Sequence, residues 1–130
     1  MVLQLRQADL ESVPTQVARP TYARELLQPA IVHFGVGGFH RAHQAVYLDD
    51  IAERRISADW GEHGIGLLPG DRRMAQALIP QDCLYTVVER SAGGDSARVI
   101  GSLGGYTFGP DNPEQVLHRL ADPATRIVSL

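Results

Sequence analysis

Apolar positions in this chain fall into short blocks, and their rhythm changes along its length. Ile31, Val32, His33 and Phe34 form a compact, mostly apolar run that reads as a strand entering Gly35. From 39 to 55 the spacing turns helical: Ala42, Ala45, Leu48 and Ala52 share one face, while Asp49, Asp50, Glu53, Arg54 and Arg55 suit a solvated side. Asp59, Trp60, Gly61 and Glu62 read as a loop, residues 64–68 as a second buried strand, and Pro69-Gly70 as its end. Asp71 is placed to cap a short helix carrying Met74, Ala75 and Leu78.

Beyond 80 the residue types change. LYTVVE (84–89) and RVIGSL (98–103) are rich in β-branched and apolar residues and flank the turn-forming SAGGDS (91–96), which predicts a β-hairpin-like pair within 84–103. Asn112-Pro113-Glu114 is a helix start, a cap followed by proline at the first helical position. Val116, Leu117 and Leu120 give that helix an apolar face, Asp122-Pro123 stops it, and 126–130 opens a further strand. Residues 1–30 carry Pro14, Pro20 and Pro29 and no strong period. They predict an irregular arm over the domain surface, with a short helix near 22–27. The alternation of strands and helices over 31–130 predicts an α/β domain with a doubly wound, mostly parallel sheet, incomplete at its C-terminal end. The chain is therefore expected to be the first part of a larger domain.

Composition narrows the function classes. At 130 residues, 44% hydrophobic and 21% charged, the chain has the make-up of one globular domain. A net charge of −3, without a basic block, argues against a nucleic-acid partner. No stretch is long and apolar enough to span a membrane, and the opening MVLQLRQADLESV has neither the apolar run nor the charge of a targeting peptide, so a cytoplasmic protein is expected. A single cysteine, Cys83, excludes an internal disulfide and a multi-cysteine zinc site.

The candidate chemistry sits where the first strand meets the first helix, at Gly35, Val36, Gly37 and Gly38. Gly35 permits a sharp turn, Gly37 lets a pyrophosphate approach the backbone, and free N–H groups at a helix start favour an anion. His40 stands where a G-x-G-x-x-G loop has its third glycine. A plain strand-to-helix turn thus stays open, with Gly38, Ala42 and Ala45 able to supply the close packing. Phe39 either lines the channel beside the loop or anchors the helix in the core, the second role being preferred. Arg41 is equally a phosphate ligand and a solvated charge. His33 reads as a packed, hydrogen-bonded histidine and Cys83 as a buried thiol. His40 and His43 lack a third ligand, so no metal site is assigned. Asp71, just past the second strand, is the candidate for the adenosine ribose, or else only a helix cap.

The run IVHFGVGGFHRAHQAVYLDD (31–50), with QDCLYTVVE (81–89) and DPATRIVSL (122–130) in the same order, resembles the mannitol dehydrogenase and fructuronate reductase family of polyol-specific long-chain dehydrogenases. The resemblance implies an amino-terminal Rossmann-like domain that binds NAD, and the residues expected to hold it are Gly35, Val36, Gly37, Gly38, Phe39, Arg41 and Asp71. It implies hydride transfer between that cofactor and a sugar alcohol or aldonate, or the matching keto compound, without a metal. The family's catalytic lysine lies in a carboxy-terminal substrate domain with no counterpart here; all twelve basic residues of this chain are arginines. No catalytic residue is assigned, and the isolated chain is expected to be inactive. The alternatives are a non-oxidoreductase nucleotide-binding module, such as an adenosylmethionine-dependent methyltransferase, or an inactive fragment.

Overall fold

The computed structural model describes residues 4–130, so the first three residues of the predicted arm lie outside the described part. The arm is less irregular than its prolines suggest. It holds a 3-10 turn (Gln7–Ser12), a two-residue strand β1 (Val17–Ala18) and a second 3-10 turn (Arg24–Leu26) where a short helix was expected. The glycine segment follows strand β2 (Ile31–Phe34) and opens α1 (Gly38–Ala42), which passes into α2 (Gln44–Glu53). The single helix expected over 39–55 is broken at His43 (φ −125°, ψ −81°). There the ring Nδ1–H donates to the Phe39 carbonyl at 2.8 Å, taking the acceptor the backbone would have used.

Strand β3 (Glu62–Gly66) starts two residues before the expected 64–68 and stops before Leu67 and Leu68, which are exposed. A 3-10 turn (Pro69–Asp71) leads into α3 (Arg72–Leu78). The predicted hairpin is present as β4 (Tyr85–Ser91) and β5 (Gly94–Ile100), antiparallel in register from Tyr85–Ile100 to Ser91–Gly94. It takes β1 as a third, parallel strand. Strand β6 (Leu103–Phe108) was not foreseen, because Gly104 and Gly105 dilute its signal. Helix α4 (Pro113–Ala121) begins as read: the Asn112 side chain accepts from the Gln115 N–H at 3.2 Å. Strand β7 (Ile127–Ser129) completes the description.

Strands β6, β3, β2 and β7, in that order, form one all-parallel sheet. Helices cover both faces, as a doubly wound sheet requires. On one face Val32 and Ile65 pack against Val116 of α4. Of the apolar face read for that helix, only Val116 is covered, and Leu117 and Leu120 project past the sheet. On the other face Val36, Ala45, Ala75, Leu78, Tyr85, Ile100, Leu103, Tyr106 and Phe108 make the larger core, to which α2, α3 and the hairpin contribute. Ala45 and Ala52 are buried as read, but Ala42 is exposed and Asp49, expected in solvent, is 1% exposed.

Candidate functional site

The strand order places the glycine turn. From β2 the chain steps to β3 and then β6 on one side, and β7 returns to the other side of β2. The order reverses between β2 and β7, and Gly35 leaves β2 at that reversal, the crevice where open α/β sheets bind ligands. Gly35 has φ +82°, so the turn itself requires glycine there. Its N–H donates to the Ile65 carbonyl at 2.9 Å and ties the turn to β3. Gly37 and Gly38 are different. Gly37 has an ordinary φ of −101°, and a Cβ on it would meet only the Gly35 carbonyl oxygen, at 3.9 Å. A Cβ on Gly38 would meet nothing within 4 Å. Neither glycine is demanded by the packing of the chain, and among the described residues their N–H groups donate to no protein acceptor. The space before them is open to a ligand.

Beneath the turn lies a buried polar cluster that the sequence reading missed. The His40 and His33 rings stack at 3.9 Å, 9° from parallel. His40 Nε2–H donates to Glu62 Oε1 at 2.9 Å, and Gln44 Nε2 donates to the same oxygen at 2.7 Å. His33 Nδ1 and the Ser129 hydroxyl lie 2.8 Å apart. Burial, and the facing His40, push the His33 pKa below the ordinary imidazole value. His33 is thus the packed, hydrogen-bonded histidine that was expected. Glu62, read as a loop residue, begins β3 and is 1% exposed. The cluster joins β2, β3, β7 and the helix after the turn, holding the glycines against the sheet.

Val36 turns inward, 5% exposed, over Gly64, where a Cβ would stand 2.5 Å from Val36 Cγ2. Phe39 is not a core residue: it is 80% exposed, because α1 points it away from the sheet, and it stacks on His43 at 4.2 Å. Arg41 lies back along its own turn, donating from Nε to the Gly37 carbonyl at 3.2 Å. Cys83 is buried, and desolvation raises its thiol to about 11, the inert state expected of it.

Asp71 stands at the end of β3, the strand beside β2, over Gly66, whose missing Cβ leaves it room. It does not cap α3. Its Oδ2 instead accepts the Leu68 N–H at 2.9 Å, closing the 3-10 turn, and Oδ1 is engaged by no described residue. Burial and the nearby Asp71 push the Tyr106 hydroxyl up to about 12. The structure therefore brings the turn residues Gly35 to Gly38, Phe39, Arg41 and Asp71 to neighbouring strand ends on one edge of the sheet. A cavity of about 730 Å³ lies elsewhere, lined by Arg24, His63, Cys83, Gly105 and Arg119, and shares none of these residues.

The mannitol dehydrogenase Rossmann domain model matches residues 29–129. The chain belongs to the mannitol dehydrogenase family. It is 48% identical over 128 residues to a mannitol 2-dehydrogenase of Pyrenophora tritici-repentis, covering 98% of this chain and 22% of that protein. To a mannitol 2-dehydrogenase of Aspergillus niger it is 49% identical over 133 residues, covering 98% of this chain and 27% of that protein. Two solved structures share the family's fold with it. One is the Pseudomonas fluorescens mannitol 2-dehydrogenase in ternary complex with NAD and D-mannitol (TM-score 0.92, 36% identity, 98% of this chain, 26% of that one). The other is a D-sorbitol dehydrogenase in substrate-free form (TM-score 0.87, 41% identity, 97% and 26%). The chain spans about a quarter of the length of these family members.

Proposed function

We propose that this chain is the NAD-binding part of an oxidoreductase acting on a sugar alcohol or aldonate and the matching keto compound, of the mannitol/fructose or mannonate/fructuronate type. The observation that carries the reading is the pair Gly37 and Gly38, at the strand-order reversal, with open space before them that no contact within the chain explains. A pyrophosphate fits there, because only a side-chain-free backbone lets its oxygens reach the N–H groups. Gly35 and Val36 shape the turn, Phe39 borders it and Arg41 adds positive charge beside it. Asp71 Oδ1 is free to accept from the adenosine ribose hydroxyls, and its charge disfavours a 2′-phosphate. Bound NAD supplies the hydride acceptor; the chain's own residues bind and orient it. The relatives named mannitol 2-dehydrogenase, and the neighbour holding NAD and D-mannitol, support a small polyol as substrate, with a hexuronate as the other substrate class proposed. A cytoplasmic location is part of the same proposal.

The test is fluorescence titration of the chain with NADH and calorimetric titration with adenosylmethionine. NADH is expected to saturate and adenosylmethionine not to bind. Gly37→Val is expected to keep the fold, since a Cβ there meets nothing closer than 3.9 Å, and to weaken NADH at least about tenfold by filling the approach to the backbone. A folded variant with unchanged affinity rules out this loop as the phosphate cradle.

A further inference from the structure

We propose that Asp111 acts as a latch on Arg72 and so helps to set the preference of this domain for NAD over NADP, an inference that rests on the assignment of the glycine turn to the cofactor. Arg72 follows Asp71 directly, and arginine at that place is the residue type that holds a 2′-phosphate. Sequence alone therefore leaves Asp71 and Arg72 pulling in opposite directions.

The structure shows where the guanidinium goes. Nη1 donates to Asp111 Oδ2 and Nη2 to Asp111 Oδ1, each at 2.8 Å. This is the paired, fork-to-carboxylate geometry that gives arginine its strongest contacts. The guanidinium carbon also lies 4.6 Å from the centre of the Phe108 ring, so one face of the group is covered. Asp111 is held in the turn after β6, its N–H donating to the Phe108 carbonyl at 3.2 Å. The Arg72 hydrogen bonds hold the Asp111 carboxyl below its ordinary pKa, as expected of a carboxylate paired with a guanidinium. While this pair is closed, both Nη groups are held at the carboxyl end of β6, 39 residues along the chain, and the fork does not present the same pair of donors to a phosphate beside Asp71. Removing the Asp111 carboxylate frees the donors without disturbing a buried group, because both side chains are more than half exposed.

Dissociation constants for NADH and NADPH, measured by fluorescence on the chain, give the test. Asp111→Ala is expected to shift the NADPH/NADH ratio toward NADPH by about tenfold, the scale of one charged hydrogen bond. In an Arg72→Ala background the same substitution is expected to shift the ratio by less than about twofold, the mark of two residues acting as a unit. An equal shift in both backgrounds means that Asp111 acts by charge alone and overturns the latch, as does an Asp111→Ala ratio equal to that of the wild type. Asp71→Ala, run alongside, reads the ribose assignment separately. An unchanged ratio there with a positive Asp111 result removes Asp71 from the site and supports the latch. Failure of the wild-type chain to bind NADH overturns the cofactor reading and the latch together.

Discussion

His63 shows how burial decides the protonation of a single side chain. It lies on β3 with its Nε2 2.8 Å from the Thr107 hydroxyl, and burial, assisted by Arg119, lowers its pKa to about 4. In the unfolded chain the same imidazole titrates near its ordinary value of about 6.5. Between those two values the unfolded chain binds a proton that the folded one does not, so stability falls as pH drops through the window. Relative to His63→Gln, which cannot titrate, the wild type is expected to lose roughly 2 kcal/mol between pH 7 and pH 4.5. Urea midpoints of both proteins at the two pH values check this, and a constant difference between them contradicts it. His33 was legible as a packed residue because it sits inside an apolar run, and Cys83 because a lone thiol with no base beside it in sequence is buried by default. The exposure of Phe39 was not legible, since an aromatic at a helix start reads as an anchor into the core and only the direction of α1 turns it outward.

Among the elements, β3 is organised by its neighbours. Gly64 carries no backbone requirement, yet a Cβ on it would stand 2.5 Å from Val36 and 3.0 Å from Tyr106. Gly64→Ala is therefore expected to cost about 1–3 kcal/mol by overpacking the side chain that shapes the glycine turn. For a domain of this size that lowers Tm by at least about 3 °C, readable by calorimetry. An unchanged Tm would show that Val36 moves aside freely. The same kind of contact explains why β6 escaped the sequence reading. Gly105 weakens the local strand signal, but a Cβ there would meet the His63 ring at 2.7 Å, so the glycine serves the neighbouring strand. Helix α4 needed no neighbour to be seen, since Asn112, Pro113 and Asp122 mark its ends locally.

In the whole molecule the arm, α2 and the hairpin meet at Asp49. Its carboxylate accepts from the Tyr22 hydroxyl, from Arg98 at 2.5 Å and from the Gly101 N–H at 2.8 Å. Asp49→Ala leaves the buried Gly101 N–H unpaired and the partly buried Arg98 with Asp50 as its remaining ion-pair partner. A loss of roughly 2–4 kcal/mol is expected, together with faster hydrogen exchange in residues 17–28 as the arm detaches. Wild-type exchange in that segment would show that the arm is held by other contacts. The sequence by itself determined the strand–glycine–helix unit, the hairpin, the limits of α4 and the α/β class. Those signals are local: a backbone period of about two or 3.6 residues, a cap, or a turn residue at a set offset. Only the tertiary structure decided that Asp49 and Glu62 are buried and that Asp111 holds Arg72. The partners in these cases lie 52, 22 and 39 residues apart, brought together by strand order rather than by any period along the chain. A carboxylate looks solvated until the fold places its donor beside it: the pairing of β2 with β3 brings His40 to Glu62, that of β3 with β6 brings Arg72 to Asp111, and the end of the hairpin brings Gly101 to Asp49.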